Sequence, residues 1–339
     1  MKRIVVLLFV VLVACGGKKG PRDIGNRSPR SELVEGGGPA TAADAGADAA
    51  HVIAKPDVAG KPARVLAHAS SRAIATNATN VFYGDAEDDR LYTVPKTGAA
   101  EPARLAPRAP LKGALSVDGS TLVWIVATGD AVVRAPVAGG TPTTVRDRGI
   151  FTDVIAGKGD IFFTETEGRG GSVSRISGAT AARLASFSGS PRGLALDATH
   201  VYVATATKLV AVPRLRNEPR ELAASVAFAH PQVDETHVYA TTTVDGAPAL
   251  VRVAKTGGSL EIVVRDIHPG APIALHRGLL AWFHPTRPAL MGMKIGSNDV
   301  RVLSEHHAFH EPAALVLDND GAFIAAGDGA DAMILGVPY

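Results

Sequence analysis

The sequence has almost no cysteine. Of its 339 residues only Cys15 is a cysteine, so no disulfide can form within the chain, and burial and hydrogen bonding must hold the fold. Aromatic residues make up 5% and hydrophobic residues 46% of the chain. This composition predicts a packed core built largely from small aliphatic side chains.

Long hydrophobic runs are also missing, except for one near the amino terminus. The segment "MKRIVVLLFVVLVAC" has a basic start and an apolar run from Ile4 to Val13. Ten apolar residues span about 15 Å as a helix, roughly half of the hydrocarbon core of a bilayer. The run is therefore too short for a transmembrane helix and is typical of a secretory signal peptide.

The end of this segment, "LVAC" at 12–15, resembles the lipobox of bacterial lipoproteins. The resemblance implies that Cys15 is lipid-modified, carries more than one acyl chain and becomes the mature amino terminus. Two or more chains anchor a protein stably to a membrane. Gly16 stands where, in enteric bacteria, Asp favours retention in the inner membrane, so the resemblance implies the outer membrane. A plain signal peptide with a chance cysteine is the alternative.

The chain has no excess of charge of either sign. It holds 35 basic and 33 acidic residues, a formal charge of +2. Lys2 and Arg3 lie in the predicted signal peptide at 1–15, so the mature chain would have a balance of 2 − 2 = 0. Nucleic-acid-binding proteins usually present a clustered basic face. We therefore expect no nucleic-acid partner.

Residues 16–60 differ in composition from the rest of the chain. This stretch is rich in Gly, Ala, Pro, Asp and Lys and has no sustained apolar period. Such a composition is typical of disorder. A flexible chain of this length has an average reach of roughly 35–40 Å. We expect a tether that holds the domain at 61–339 clear of the membrane.

From residue 61 onward the sequence repeats itself. An apolar triplet, seen as "VYV" at 201–203 and "VYA" at 238–240, recurs seven times with a mean spacing of about 40 residues. The copies begin at Val81, Leu122, Ile161, Val201, Val238, Leu279 and Ala322. Each triplet is accompanied by three further short segments rich in β-branched residues and separated by Gly, Pro, Asp and Asn. Four such segments per repeat predict four short strands and no helix.

Four antiparallel strands every 40 residues are typical of a β-propeller blade. The sequence therefore predicts an all-β, seven-bladed propeller; we name the strands of each blade A to D, from the axis to the rim. The seventh copy lacks a D strand. "PARVLA" at 62–67 resembles the D segment "PARLA" at 102–106, so we expect this amino-terminal strand to complete the last blade and cover its open edge.

The triplet "VY" and the following "RV-K-GG" pattern at 250–258 are similar to the degenerate propeller repeats of the YWTD and NHL class and of related bacterial lipoproteins. The resemblance extends over 62–339 and implies the propeller fold. Members of those classes often close with six blades, whereas this chain has seven copies. Because one fold serves many functions, the resemblance implies no activity.

The sequence contains no complete catalytic signature. It has no G-x-S-x-G, P-loop or dinucleotide motif, and "HEPAA" at 310–314 is only half of a zinc-protease H-E-x-x-H motif. We therefore predict no cofactor. The two tryptophans, Trp124 and Trp282, are expected to pack between blades.

Histidines are the main candidates for a site. Loops joining strand D to the next strand A lie on the same face of a propeller as the B–C loops, and these loops carry most of the histidines. The candidate ligand face comprises His230, His268, His284, His306, His307 and His310, with His68 nearby. Facing carboxylates at 85–89, Glu165, Glu167, Asp328 and Asp331, they suit metal binding or acid–base chemistry; solvated loop histidines are the alternative. We assign none of them as a catalytic residue or metal ligand.

Two functions follow. The first is a lipid-anchored, monomeric propeller of the cell envelope that binds a protein or glycan partner through its loops. The second is an envelope enzyme, such as a lyase or lactonase, that uses histidine and carboxylate around the funnel. His200 and His237, in the "D-x-T-H" turns, are predicted to lie on the opposite face, where the aspartate caps the turn.

Overall fold

The computed structural model describes residues 60–106, 111–216, 218–224 and 226–339. These residues belong to the compact unit Ala50–Tyr339. The predicted signal peptide, Cys15 and all of the predicted tether except Gly60 lie outside the described residues. Among the described residues, no helix has the length and apolarity needed to cross a bilayer.

The short β-branched segments of each repeat form strands, because alternate side chains of each strand can be buried against neighbouring sheets. The first fourteen strands are β1 (Arg64–His68), β2 (Ile74–Thr76), β3 (Asn80–Asp85), β4 (Arg90–Pro95), β5 (Ala103–Ala106), β6 (Leu111–Asp118), β7 (Thr121–Val126), β8 (Ala131–Pro136), β9 (Thr143–Asp147), β10 (Phe151–Gly157), β11 (Asp160–Glu167), β12 (Gly170–Ser177), β13 (Thr180–Phe187) and β14 (Pro191–Leu196).

The second half of the chain continues the same pattern. Its strands are β15 (His200–Thr205), β16 (Lys208–Pro213), β17 (Arg220–Ala224), β18 (Ala229–Val233), β19 (His237–Val244), β20 (Ala247–Ala254), β21 (Glu261–Arg265), β22 (Ala274–His276), β23 (Leu279–Phe283), β24 (Ala289–Lys294), β25 (Val300–Glu305), β26 (Pro312–Leu317), β27 (Gly321–Ala326) and β28 (Met333–Pro338). Two short 3-10 helices, His307–His310 and Gly329–Asp331, lie in loops and were not predicted.

These strands form seven four-stranded antiparallel sheets. Blades 1 to 6 each use four consecutive strands, from β2–β5 to β22–β25. The seventh blade has the order β1-β28-β27-β26, so the amino-terminal strand β1 supplies its outermost strand. The seven-bladed propeller and its closure by the amino-terminal segment are thus confirmed.

The blades form a closed ring. Each innermost strand contacts the innermost strand of both neighbouring blades, and the cycle ends where β26 meets β2. The core lies between the blades, in seven clusters of buried side chains, one for each interface. Trp124 lies between blades 1 and 2 and Trp282 between blades 5 and 6, as predicted. A single sheet could not bury both faces, which is why the sequence repeats.

Two faces of the ring carry the loops. The antiparallel order places the D–A and B–C loops on one face, which we call the D–A face, and the A–B and C–D turns on the other, which we call the A–B face. The "D-x-T-H" turns lie on the A–B face. Oδ1 of Asp197 accepts the N–H groups of Thr199 and His200, at 2.7 and 2.8 Å, so the aspartate caps the turn as predicted.

Candidate functional site

The innermost strands leave a channel along the axis of the ring, with a cavity of about 380 Å³. Every blade contributes one short segment to its wall. The lining segments are 72–74, 113–116, 152–155, 192–194, 230–232, 272–273 and 313–316. These segments extend from the beginning to the middle of the A strands. Arg72, Arg192 and Ala313 lie at the beginning, nearest the D–A face. All seven repeats therefore contribute to this concave feature.

The channel wall is irregular at this end. The pairing of strands A and B shifts register between Phe151 and Asp153 in blade 3, and between Pro191 and Gly193 in blade 4. In blade 5 it shifts between Ala229 and Gln232. A β-bulge re-aims the side chains beside it and interrupts the alternation of a strand. The same shift occurs in blades 2 and 7. Charged or titratable residues reach the wall from blades 3, 4 and 5 and also from blade 1, whose A strand has no bulge.

Four charged or titratable side chains line the channel: Arg72, Asp153, Arg192 and His230. Most of the other lining residues are small or aliphatic. Gly193 separates the blades that carry Asp153 and His230, and a Cβ at Gly193 would lie 2.5 Å from Cδ of Pro231. Only glycine lets blade 4 approach blade 5 this closely, so Gly193 sets the spacing of this part of the wall.

Asp153 joins two blades inside the channel. Its Oδ1 accepts the N–H of Val154 at 2.8 Å, and its Oδ2 accepts the N–H of Leu194 in blade 4 at 2.7 Å. Its side chain is partly open to the channel, but protein surrounds it on all other sides. Burial raises the pKa of Asp153 to about 6, and the two backbone hydrogen bonds only partly oppose that rise.

His230 is held in an unusual backbone conformation, with φ at +49°. Few residues other than glycine adopt this left-handed region. Nε2 of its ring lies 3.2 Å from the carbonyl oxygen of Gly270 in the next loop. The carbonyl can only accept, so Nε2 donates and carries the ring proton. Burial lowers the pKa of His230, which favours the neutral ring at neutral pH.

Arg72 and Arg192 differ from the other two groups because both are exposed. Neither makes a hydrogen bond or an ion pair with any residue in the described ranges. They belong to blades 1 and 4, so in a ring of seven they stand on nearly opposite sides of the channel mouth. Two unpaired guanidinium groups at one opening form a site that attracts anions.

The remaining candidate histidines lie around blades 6 and 7, outside the channel wall. Nδ1 of His284 accepts the N–H groups of Thr286 and Arg287, at 3.2 and 3.1 Å. Nδ1 of His306 accepts the N–H of Ala308 at 3.3 Å and caps the first 3-10 helix. Both rings therefore stabilise their own loops. Burial lowers the pKa of both histidines, aided by Arg287 near His284 and by His307 near His306.

The other three histidines do not converge on one point either. Nε2 of His268 lies 3.1 Å from the carbonyl oxygen of His310, so it links two successive loops. The side chains of His307 and His310 are exposed. The ring of His307 lies 4.3 Å from that of His306, between centroids. Of the six predicted ligand-face histidines, the structure thus places only His230 in the channel.

The carboxylates predicted to face these histidines also have local partners. Oδ2 of Asp88 accepts hydrogen bonds from Nη1 of Arg90, at 3.1 Å, and from the hydroxyl group of Tyr92, at 2.5 Å. Glu167 pairs with Arg183, and Asp328 caps the second 3-10 helix. Over the residues that the structure describes, no group of three or more His, Cys, Asp and Glu side chains could hold a metal ion.

The histidine pattern did not point to Arg72, Asp153 and Arg192. A signal for them is present in the repeat itself. When the seven A strands are aligned on the triplet, Asp153 and His230 occupy a position that the other copies fill with Ala73, Ala114, Gly193, Ala271 and Ala314. Arg72 and Arg192 precede that position by one residue. The signal is therefore a charged or titratable residue at, or next to, a position of strand A that most copies fill with a small residue.

The sequence matches no known protein-family model and no curated protein. Its fold does match solved structures. Streptogramin B lyase has a TM-score of 0.63 at 12% identity, over 80% of this chain and 96% of that chain. Oligogalacturonate lyase from Vibrio parahaemolyticus has a TM-score of 0.58 at 10% identity, over 84% and 99% of the two chains.

A third similar structure is YCF48 bound to D1 peptide, with a TM-score of 0.58 at 11% identity. The match covers 84% of this chain and 99% of that chain. Identities this low show a shared fold alone. The geometry and the comparisons agree that this chain is a β-propeller.

Proposed function

We propose that this protein is a lipid-anchored propeller of the bacterial cell envelope that binds a partner at the D–A mouth of its axial channel. The observation that supports this most is the pair of exposed, unpaired arginines, Arg72 and Arg192, on opposite sides of that mouth. An exposed cation without a partner contributes little to folding, so its placement at a concave site favours a binding role.

The loop contacts favour binding over catalysis by the histidines of blades 6 and 7. A general acid or base needs a ring nitrogen that can exchange a proton with a substrate. Nδ1 of His284 and Nδ1 of His306 already accept backbone N–H groups. The propeller YCF48, whose structure holds D1 peptide, supports a peptide partner for a fold of this size. We propose a protein as the partner.

The anchor is a separate part of the proposal and is supported by the lipobox at 12–15. Cells expressing the full chain and fed a labelled fatty acid should incorporate the label into wild-type protein and not into the Cys15→Ser variant. Fractionation of the envelope should then place the wild-type protein with the outer membrane. Equal labelling of both proteins would overturn the proposed anchor at Cys15.

The partner site has its own test. Tagged full-length protein would be captured from envelope extracts as wild type, as the Arg72→Ala/Arg192→Ala double variant and as Arg301→Ala. Arg301 is an exposed arginine on the rim strand β25, so it controls for the loss of one surface charge. A stoichiometric partner recovered with wild type and Arg301→Ala, and lost from the double variant, is expected. A partner retained by all three would contradict the site.

A second function, an envelope lyase or lactonase, is favoured by one observation. Asp153 and His230 line the same cavity, the pKa of Asp153 is raised to about 6 and that of His230 is lowered. Two titratable groups whose pKa values are shifted by burial in one cavity suit acid–base chemistry. Turnover of lactone or uronate substrates that disappears in both Asp153→Asn and His230→Asn would establish this function; no turnover by the wild type would remove it.

A further inference from the structure

We propose that the channel mouth binds a carboxylate carried on an aliphatic group. Two sources share this chemistry: the carboxyl-terminal residue of a peptide and a free aliphatic acid. The inference rests on the proposed binding function and adds the chemical class of the ligand. Three properties of the channel lead to it, namely its charge, the nature of its wall and its size.

The charge at the mouth favours an anion. Arg72 and Arg192 are cationic at all physiological pH values and have no partner in the described part of the chain. Asp153 is the one carboxylate among the described lining residues, and its two oxygens already accept N–H groups of Val154 and Leu194. The mouth therefore has two free cations and one occupied anion. A guanidinium group binds a carboxylate through two parallel hydrogen bonds.

The wall behind the arginines favours an aliphatic body. The half-buried side chains of Leu115, Ile155 and Val316, together with the exposed Ala313, provide apolar surface there. No Phe, Tyr or Trp is found among the described residues of the wall, so an aromatic ring or a sugar would find no ring to stack on. Transfer of an aliphatic group from water to this wall is favourable by the area that it buries.

The size of the cavity limits the ligand. Its volume of about 380 Å³ lies near the lower end of the range of roughly 300–1,000 Å³ for small-molecule pockets. Such a cavity accepts one or two residues of a peptide or a short acid, and not a folded domain. A protein partner would therefore insert a chain end, with its terminal carboxylate at the arginines and its aliphatic side chain in the channel.

The test measures binding to full-length protein in detergent micelles by titration calorimetry. The probes are a tripeptide ending in leucine, the same tripeptide with a carboxyl-terminal amide, 4-methylpentanoate and 4-methylpentanamide. We expect the tripeptide acid or 4-methylpentanoate to bind, and the matching amide to bind at least about tenfold more weakly, because it loses charge-assisted hydrogen bonds. Binding of the peptide acid alone identifies a chain end, and comparable binding of both acids identifies a small acid.

Variants connect the binding to the two arginines. Arg72→Ala and Arg192→Ala should each weaken binding of the preferred acid by at least about tenfold. Arg192→Lys keeps the charge but loses the two-pronged geometry, so an intermediate loss is expected. Arg216→Ala, an exposed arginine in the C–D turn of blade 4 on the A–B face, should leave binding unchanged and is the control.

Two results would overturn the inference: equal affinity for the acid and its amide, or full binding of the acid by the Arg72→Ala/Arg192→Ala variant. These results are distinguishable from a failure of the proposed function. If carboxylates do not bind but the envelope partner still depends on both arginines, the ligand class is wrong and the binding function stands. If neither depends on the arginines, both are wrong.

Discussion

Arg64 lies opposite Gly336 in the antiparallel pairing that joins the first described strand of the chain to the last. The pairing continues to His68 opposite Met333, with one irregularity after Val65. Just before β1, the N–H of Lys61 donates to the carbonyl oxygen of Leu303 in blade 6, at 2.9 Å. The amino-terminal segment thus closes blade 7 and also contacts the blade before it.

The ring closure predicts unequal effects for two neighbouring residues of β1. Leu66 is 7% exposed and packs between blades 7 and 1, whereas Val65 is 41% exposed. Leu66→Ala should lower the free energy of unfolding by about 2–4 kcal/mol, because it leaves a cavity at the seam. Val65→Ala, the control, should change it by less than about 0.5 kcal/mol. Chemical denaturation measures both; equal effects would show that the strand does not pack as described.

A second prediction concerns the ion pair between blades 4 and 5. Nζ of Lys255 lies 2.8 Å from Oδ2 of Asp197. Burial opposes ionisation of Asp197, but hydrogen bonds from Lys255, Thr199 and other donors outweigh it and hold its pKa well below the ordinary value. Lys255→Met should therefore lower the free energy of unfolding by about 1–3 kcal/mol at pH 7.

The pH dependence of this pair follows from the direction of the shift. A carboxyl group whose folded-state pKa is lowered stabilises the fold above its unfolded pKa of about 3.9, and this contribution is lost as the pH falls below that value. The difference between wild type and Lys255→Met should be constant above about pH 5 and shrink progressively as the pH falls from about 4 towards 2. Lys294→Met, which removes an exposed lysine at the end of β24, should show no such difference; a difference for Lys255→Met that does not shrink as the pH falls would contradict the account.

A third prediction concerns Arg214, which links blade 4 to blade 3. Its guanidinium group lies 3.2 Å from Asp160 and 2.8 Å from the carbonyl oxygen of Gly157, and it lies 5.0 Å above the ring of Phe162. Arg214→Met should cost about 2–4 kcal/mol of unfolding free energy, because Asp160 and the carbonyl lose a buried partner. Arg216→Met, two residues later and exposed, is the matched control, and thermal melting should separate the two variants clearly. Similar melting temperatures would contradict the link.

Asp153 gives a fourth prediction, with the opposite sign of pH dependence. Burial raises its pKa from 3.8 to about 6, so its ionised form is disfavoured in the folded protein. Its contribution to stability is present below pH 3.8 and is lost as the pH rises through 6. The free energy of unfolding of wild type relative to Asp153→Asn should therefore fall by up to about 3 kcal/mol between pH 4 and pH 7. Denaturation curves at the two pH values test this; a rise with pH would contradict the burial of Asp153.

The fold could be predicted from the sequence because every repeat carries the same local signals. The D segments predicted at 102–106 and 62–67 became Ala103–Ala106 and Arg64–His68. The hairpin predicted at Asp245 and Gly246 has positive φ at both residues, +53° and +83°, as a two-residue turn requires. Because the same pattern occurs seven times, a wrongly placed strand in one copy would not have changed the predicted fold.

The site was harder to predict because its residues are defined by how close they lie to the propeller axis. That distance cannot be read from the sequence. His284 and Asp153 are both polar residues close to the D–A face, but the first accepts hydrogen bonds within its own loop and the second lies in the channel. The β-bulges in the A strands of blades 2 to 5 and 7 are not visible in hydrophobic periodicity. Only an alignment of the A strands among the seven copies exposes Asp153 and His230 as exceptions.

The central claim is that the D–A mouth of the channel is the binding surface. It is tested most directly in cells, with a photo-activatable amino acid placed at Ala313 of the full chain, an exposed residue of the channel mouth, or at Ala198, an exposed residue of an A–B turn. We predict that light links a discrete envelope partner to the protein from position 313 and not from position 198. Crosslinks from position 198 alone would contradict the claim.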